Sequence, residues 1–171
     1  MIVFYIITGD VLSKAVKLET SLIAMRRRTQ QPDGSIIEMI NELVFDEDNE
    51  ILFKRLMNDA HAEIITNISS NMLAETPTDM EPVLTEFPDF RQDMDTILYL
   101  NMHEDWPLQY KKAVDIKIRQ YMIDYICYRW LETKSPNDAV TYQSRLYNTL
   151  EDIRRLLVRK SKPLRIYPSM L

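Results

Sequence analysis

The side chains most suited to catalysis or metal binding are few in this sequence. There are two histidines, His61 and His103, and one cysteine, Cys127. His103 precedes Glu104 and Asp105, an acid–base grouping with no orienting partner nearby in the sequence. Zinc requires three or four converging ligands, and His61 lies outside any HExxH pattern. We therefore predict no catalytic residue and no metal site, and we place both histidines at ordinary surface or boundary positions.

Glycine is too scarce for the common phosphate-binding motifs. Gly9 and Gly34 are the only two glycines. A P-loop, a dinucleotide fingerprint and a Gly-x-Ser-x-Gly elbow each require glycines at fixed spacing. We therefore expect a protein that is not an enzyme and that uses no cofactor. The single Cys127 cannot form an internal disulfide, which suits a reducing compartment.

The C-terminal stretch 153–171 is strongly basic, although the net charge of the chain is −5. It contains no acid and six basic residues, which are Arg154, Arg155, Arg159, Lys160, Lys162 and Arg165. Pro163 and Pro168 prevent a helix and favour an extended arm over 161–171. Such segregation of charge is typical of a segment that binds a partner. The predicted partner-binding residues are Arg159, Lys160, Lys162, Pro163, Leu164, Arg165, Ile166 and Tyr167.

The composition of this arm favours a protein partner. Its cations alternate with Leu164, Ile166 and Tyr167, a mixture that suits an extended peptide docking on a protein surface. Binding of nucleic acid would call for several stacking aromatic side chains, and the arm has only Tyr167. A self-packed or disordered arm and a nucleic-acid contact stay open as alternatives.

Two further segments carry concentrated charge. Arg26–Arg28 ends a predicted helix, where cations are favoured, and is either a solvated helix end or a nucleic-acid contact. Segment 75–95 has seven acids against Arg91 alone and is broken by three prolines. It is either a solvated connector or a counter-surface for the basic tail of a neighbouring subunit.

The apolar spacing predicts several elements before the C-terminal half. Residues 2–8 form a strand, and Asp10 caps a helix that ends at the three arginines. Acids at 46–48 open a second helix, and residues 96–102 alternate as a second strand with Ile97, Tyr99 and Asn101 on one face. The predicted core stripe of the second helix is Ile51, Leu52, Leu56, Ala60, Ile64, Ile65 and Ile68.

The C-terminal half predicts a helical hairpin made of residues 107–132 and 136–158. Pro107 lies near the first position of one helix, and Ser135 is the expected N-cap of the other, with Pro136 following it. The second helix carries a heptad seam, which is Ala139, Leu146, Leu150, Ile153 and Leu157.

The first helix of this hairpin is apolar nearly all round over 121–131. Such a helix must be covered on several sides, by the core of its own domain or by a second chain. The residues predicted to form a subunit interface or core are Tyr121, Tyr125, Tyr128 and Trp130.

These elements predict a mainly α fold: a helical bundle built on the C-terminal hairpin, with a few short β-strands and an extended C-terminal arm. A single helical domain spans 1–160, including an acidic, proline-broken insert and strand over 75–102, and the basic arm spans 161–171. No segment is expected to span a membrane.

The hairpin over 114–160, with "VDIKIRQYMIDYICYRWLETKSPNDAVTYQSRLYNTLEDIRRLL", resembles the C-terminal part of phage head-tail connector or adaptor (neck) proteins. The middle helix "FDEDNEILFKRLMNDAHAEI" and the closing "KP-x-R-I-x-P" are similar to those of proteins from phages and prophages of Bacteroides-type bacteria. In such proteins an apolar helix, a short break and a second helix ending in "EDIRRL"-like residues are typical.

The resemblance implies a structural virion protein, made in the host bacterial cytoplasm and located at the head-tail interface. It implies a homo-oligomeric ring of about a dozen copies that contacts the portal and other neck or tail proteins. The positions that match the portal-binding arm of the family are Lys160, Lys162, Pro163, Arg165, Ile166 and Tyr167. The insert 75–95 and the strand 96–102 exceed a minimal helical adaptor, so a tail-completion role stays open.

Two other classes of function are the alternatives. A small nucleic-acid-binding regulator would use Arg26–Arg28 and the tail, but a net charge of −5 opposes affinity for phosphates, so no direct nucleic-acid contact is expected. An enzyme using His103, Glu104 and Asp105 would lack an orienting partner and a phosphate cradle.

Overall fold

The computed structural model describes residues 1–30, 42–45, 47–68 and 95–159. Within these ranges the chain has four α-helices, two short 3₁₀ turns and one two-stranded sheet. The predicted mainly α fold is therefore confirmed. A loop is also expected over the polar segment 29–34, but residues 29 and 30 still belong to the first helix, and 31–34 lie outside the described residues. The acidic insert up to residue 94 and the basic arm lie outside them as well.

The two strands pair antiparallel, β1 over Ile2–Ile7 and β2 over Thr96–Asn101, with Ile2 opposite Asn101. Met1 and Met102 extend the ladder, because each donates its N–H group to the carbonyl of the other, at 2.9 and 2.8 Å. The face toward the helices is apolar and consists of Val3, Tyr5, Ile7, Leu98 and Leu100. Ile97, Tyr99 and Asn101 share the opposite face of β2, since side chains alternate along a strand.

Helix α1 runs over Gly9–Gln30 and begins one residue before the predicted cap. Asp10 lies inside its first turn, so the prediction of Asp10 as N-cap is wrong. The backbone N–H of Gly9 instead donates to Asp95 Oδ1 at 2.9 Å. An acid just before β2 thus satisfies one of the orphan N–H groups of a helix that follows β1.

Helix α2 runs over Glu50–Asn67 and follows a 3₁₀ turn over Glu47–Asn49. Its buried residues are Phe53, Leu56, Met57, Ala60 and Ile64. The predicted stripe is therefore wrong at Ile51 and Leu52, which are exposed, and it omitted Phe53 and Met57. The cause is aromatic packing, because the Phe53 ring meets the edge of Phe45 at a centroid distance of 5.8 Å.

Helices α3 and α4 form the predicted antiparallel hairpin over Lys111–Lys134 and Pro136–Leu157. A 3₁₀ turn over Leu108–Tyr110 leads into α3, so Pro107 precedes that turn rather than α3 itself. All five residues of the predicted heptad seam are buried, together with Tyr142 and Thr149. Ser135 is the N-cap residue of α4, and its hydroxyl donates to Asp138 Oδ2 at 2.5 Å instead of capping a backbone N–H.

One continuous apolar core joins these elements, with α3 packing on α4, α1, α2 and β1. At the open end of the hairpin, the indole Nε1 of Trp106 donates to the carbonyl of Leu156 at 2.9 Å. Thr20 joins α1 to the segment before α2, because its Oγ1 accepts from Phe45 N at 3.0 Å and donates to Val16 O. None of the described helices combines the length and apolar character needed to cross a membrane.

Candidate interaction surfaces

The residues with catalytic potential remain dispersed in the fold. His103 and Asp105 are exposed in the connection before α3, where Asp105 N donates to His103 Nδ1 at 3.2 Å. His61 lies half-buried on α2, and burial lowers its pKa. Cys127 is fully buried, and burial raises the pKa of its thiol, so it stays protonated at neutral pH. Within the described ranges, no three side chains of the His, Cys, Asp or Glu type converge to hold a metal.

A buried carboxylate lies between α1, α3 and α4. Asp124 is only 1% exposed, and its Oδ1 accepts from Gln120 Nε2 at 3.0 Å. Arg145 lies 3.9 Å from the same oxygen and 3.7 Å from Glu19, while Tyr142 donates to Glu19 at 2.8 Å. Burial outweighs these contacts and raises the pKa of Asp124 to about 6. Asp124 itself is shielded from solvent, so its ionisation bears on stability, whereas Arg145 and Glu19 are partly exposed.

Arg27 connects the end of α1 to the start of α4. Its Nε and Nη2 atoms donate to Asp138 Oδ2 at 3.1 and 2.7 Å, and Nη2 also contacts the Ser135 hydroxyl. The arginine run is therefore not simply a solvated helix end, because its middle member takes part in a tertiary ion pair. This pairing engages the central cation of the run, which the nucleic-acid alternative would need for phosphates.

Trp130 belongs to the core. Its ring meets Phe45 edge-on at 4.7 Å, and its Nε1 donates to the carbonyl of Leu43 at 2.9 Å. Lys134 Nζ lies 3.5 Å from the centre of the indole ring. These contacts hold the segment 42–45 against α3, so Trp130 has a structural role within one chain.

The three predicted tyrosines share one face of α3 and line a groove between α2, α3 and α4. The groove encloses about 280 Å³, and its lining includes Glu63, Tyr121, Tyr125, Tyr128 and Tyr147. Tyr121 is buried in its floor, where its ring stacks on that of Tyr125 with centroids 6.5 Å apart. Tyr125 and Tyr128 are half-buried in its wall. We call this region the tyrosine groove.

Other lining residues of the tyrosine groove escaped the sequence analysis. Glu63 and Asn67 come from α2, and Gln143 and Tyr147 come from α4. The i, i+4 spacing of each pair places its two members on one face, and this was the available signal. Which faces of the two helices meet α3 is decided by tertiary packing, which spacing alone does not show.

The outer side of α1 carries an apolar stripe whose large side chains are exposed among the described residues. Its members recur at heptad positions, Val11, Ala15, Leu18, Leu22 and Met25. Val11, Leu18, Leu22 and Met25 are 53%, 61%, 40% and 67% exposed. The core side of the same helix is lined by Leu12, Val16, Ile23 and Ala24, so α1 presents two distinct apolar faces. We call the exposed one the α1 stripe.

The C-terminal residues assigned to partner binding enter the described part of the chain only at Arg159. Its guanidinium donates to the Tyr110 hydroxyl at 3.0 Å and lies 5.2 Å from the centre of that ring. Arg159 therefore contacts the start of the hairpin within its own chain. The remaining predicted residues, Lys160, Lys162, Pro163, Leu164, Arg165, Ile166 and Tyr167, lie outside the described ranges.

No protein-family model, curated protein or solved structure matches this chain significantly.

Proposed function

We propose that this protein is a structural component of a phage neck, which assembles as a homo-oligomeric ring and joins the portal to the tail. The observation that carries the proposal is the α1 stripe, an exposed apolar a/d seam on a helix whose other side is already buried. The resemblance of the hairpin to head-tail connector proteins supplies the setting, a virion assembled in a bacterial cytoplasm. A tail-completion protein in the same neck would use the same surface.

The spacing of the α1 stripe suits packing against another helix. Val11, Leu18 and Met25 repeat every seven residues, and Ala15 and Leu22 fill the alternate positions of the seam. Small and branched side chains at such positions interdigitate with a facing helix. Burying each large side chain contributes about 1.5–3 kcal/mol at most, so the stripe provides one modest contact. Modest contacts repeated around a ring suit closed symmetric assembly.

The basic arm supplies the second contact in this proposal. Residues 160–167 would bind the portal or another neck protein through cations and through Leu164, Ile166 and Tyr167. Arg159 precedes that segment and contacts Tyr110 near the beginning of the hairpin. Extended peptides of this mixed type bind protein grooves with the backbone and alternate side chains.

The nucleic-acid alternative draws less support from the described residues. Arg27 is paired with Asp138, and Arg159 is engaged with Tyr110. Phosphate affinity depends on clustered cations that are available to the backbone of the nucleic acid. A salt-dependent complex with duplex DNA would nevertheless favour this reading over the structural one.

The test measures assembly of the full-length chain, alone and with the purified portal of the phage or prophage that encodes it. Mass photometry should show oligomers, or a ring that forms when portal is added. The double variant Leu18→Glu, Leu22→Glu places two charges in the α1 stripe and should abolish self-association while leaving circular dichroism unchanged. A wild-type chain that stays monomeric and ignores the portal would overturn the proposal.

Ile116→Glu, Val140→Glu is the matched control for the α1 stripe. Ile116 is 54% exposed on α3 and Val140 is 59% exposed on α4, so these replacements add the same charge on other helices at little cost in folding. The control variant should assemble as the wild type does. If it dissociates the oligomer as strongly as the stripe variant, added negative charge is the cause and the stripe is not the interface.

A further inference from the structure

The outer edge of β1 has backbone groups available for pairing. Met1 and Met102 exchange two backbone hydrogen bonds. In the antiparallel ladder, the odd-numbered residues of β1 therefore direct their N–H and C=O groups toward β2, and the even-numbered residues direct theirs toward the outer edge. Arg119 Nη2 donates to the Ile6 carbonyl at 2.6 Å. The N–H and C=O of Phe4 have no hydrogen-bond partner among the described residues.

A groove of about 490 Å³ lies along this edge, between β1 and the start of α3. Its apolar surface comes from Phe4, Ile6 and Leu108, and Leu108 is 62% exposed. Residues 2–6 of β1 span about 14 Å at the usual rise of a strand, which matches a short extended peptide. The opposite edge of the sheet differs, because the backbone of Ile97 in β2 lies against His61.

The charges around this groove are mostly positive. Lys111, Lys112 and Arg119 line it, and Asp115 is the only acid among its described lining residues. Arg119 Nε donates to Asp115 Oδ2 at 3.0 Å, so these two charges compensate each other. Lys111 lies 4.9 Å over the Phe4 ring, and both lysines are exposed. The net positive charge at the groove therefore comes from Lys111 and Lys112.

The position of these lysines is unfavourable for the helix itself. Lys111 and Lys112 open α3, which has no acid in its first turn. Cations near a helix N-terminus oppose the macrodipole at a cost of about 0.3–1 kcal/mol each. The helix dipole therefore does not explain two lysines at this place. Lys111 contacts the Phe4 ring, and the two charges together suit an acidic partner.

We infer that the β1 edge groove binds an acidic, extended peptide segment of another protein as a third strand of the sheet. The peptide pairs with the Phe4 backbone, its apolar side chains lie on Phe4, Ile6 and Leu108, and its carboxylates meet Lys111 and Lys112. This surface is separate from the α1 stripe and does not depend on the proposed neck function. The recognition mode is strand addition with charge selection.

The probe is the fluorescein-labelled peptide acetyl-EVETVEV-amide, titrated with the full-length protein by fluorescence anisotropy. The reference probes are KVKTVKV and the acidic peptide with alternate amides N-methylated. The acidic peptide should bind at least about tenfold more tightly than either reference, because one lacks charge complementarity and the other cannot pair as a strand. Amide spectra of the labelled protein should show the largest shift at Phe4 when the acidic peptide is added.

The protein variant Lys111→Glu, Lys112→Glu should reverse the charge preference of the groove. It should remain folded, since acids in the first turn of α3 suit the helix dipole. Lys14→Glu, Arg55→Glu makes the same charge change at exposed positions that do not line the groove, and it should keep the preference for the acidic peptide. Reversal in the first variant and not in the second supports the inference.

Several results would overturn this inference. They are equal binding of the acidic and basic peptides, binding that survives N-methylation, and spectral shifts centred on the tyrosine groove instead of Phe4. Binding of a single-stranded oligonucleotide at Phe4, with no binding of the acidic peptide, would assign the groove to nucleic acid.

Discussion

Asp124 is the residue whose ionisation bears most directly on stability. Its carboxyl group is buried among Gln120, Arg145, Glu19 and Cys127, and burial raises its pKa from 3.8 to about 6. The folded state therefore holds the proton more tightly than the unfolded state does. The resulting stabilisation is complete below about pH 4 and is lost as the pH rises through about 6, by about 3 kcal/mol in all.

Asp124→Asn should remove this pH dependence. The amide keeps an oxygen for Gln120 and carries no charge to bury. We expect the wild type to lose about 1.4 kcal/mol relative to the variant between pH 5 and pH 7.5. Urea unfolding at both pH values measures the difference. A variant with the same pH dependence as the wild type would show that Asp124 titrates normally in the folded chain.

The ion pair between Arg27 and Asp138 should make a measurable contribution to stability. The Arg27 side chain is 39% exposed and the Asp138 side chain is 33% exposed, so solvent screens the pair. Arg27 donates two hydrogen bonds to one oxygen of Asp138, so we expect this ion pair to be stronger than a simple surface pair. A double-mutant cycle with Arg27→Ala and Asp138→Ala should give a coupling energy of about 1 kcal/mol in urea unfolding. A coupling near zero would mean that the contact is only incidental.

At the scale of elements, the hairpin of α3 and α4 holds the core together. Ile153 is fully buried in the seam of α4, whereas Val140 on the same helix is 59% exposed. Ile153→Ala should lower the free energy of unfolding by about 2–5 kcal/mol, because it removes buried apolar contact and leaves a cavity. Val140→Ala should change it by less than about 0.5 kcal/mol. Chemical denaturation of both variants checks this, and similar effects at the two sites would contradict the seam.

The hairpin was predictable because its signals are local. Ser135-Pro136 marks the start of α4, and the heptad spacing of α4 selects its buried side. The sequence predicted helix α2 but not which of its faces is buried. Ile51 and Phe53 are both strongly apolar, and only the contact with Phe45 shows that Phe53 is the buried one. The cap of α1 was missed because Asp95 is 86 residues from Gly9.

The candidate surfaces were less predictable than the helices for the same physical reason. The tyrosines at 121, 125 and 128 share a face by their spacing, but their exposure depends on how far α2 covers them. The heptad spacing of the α1 stripe can be recognised in the sequence. The apolar residues on the other side of α1 are equally hydrophobic, so the sequence does not show which side is buried. Only the packing of α1 on α3 shows which of its two apolar sides stays outside.

In the molecule as a whole, the apolar core and the proposed portal-binding arm belong to different parts of the chain. The described core residues run from Val3 to Leu157, and Arg159, the last described residue, contacts Tyr110. A chain that ends at Arg159 should therefore keep its helical content, with a melting temperature within about 4 °C of the wild type, because it loses no described core contact. The same deletion should abolish binding to the portal if the arm is the docking segment.

The deletion and the α1 stripe variant together distinguish the two proposed contacts. The chain lacking residues 160–171 should still self-associate, since Leu18 and Leu22 remain, but it should not be retained by immobilised portal. Leu18→Glu, Leu22→Glu should lose self-association and bind the portal more weakly than the wild-type oligomer, because single arms lack the avidity of several arms on one ring. Light scattering and portal pull-down measure the two properties separately. If removing the arm dissolves the oligomer while portal binding persists, the assignments are reversed: the arm joins subunits and the domain surface meets the portal.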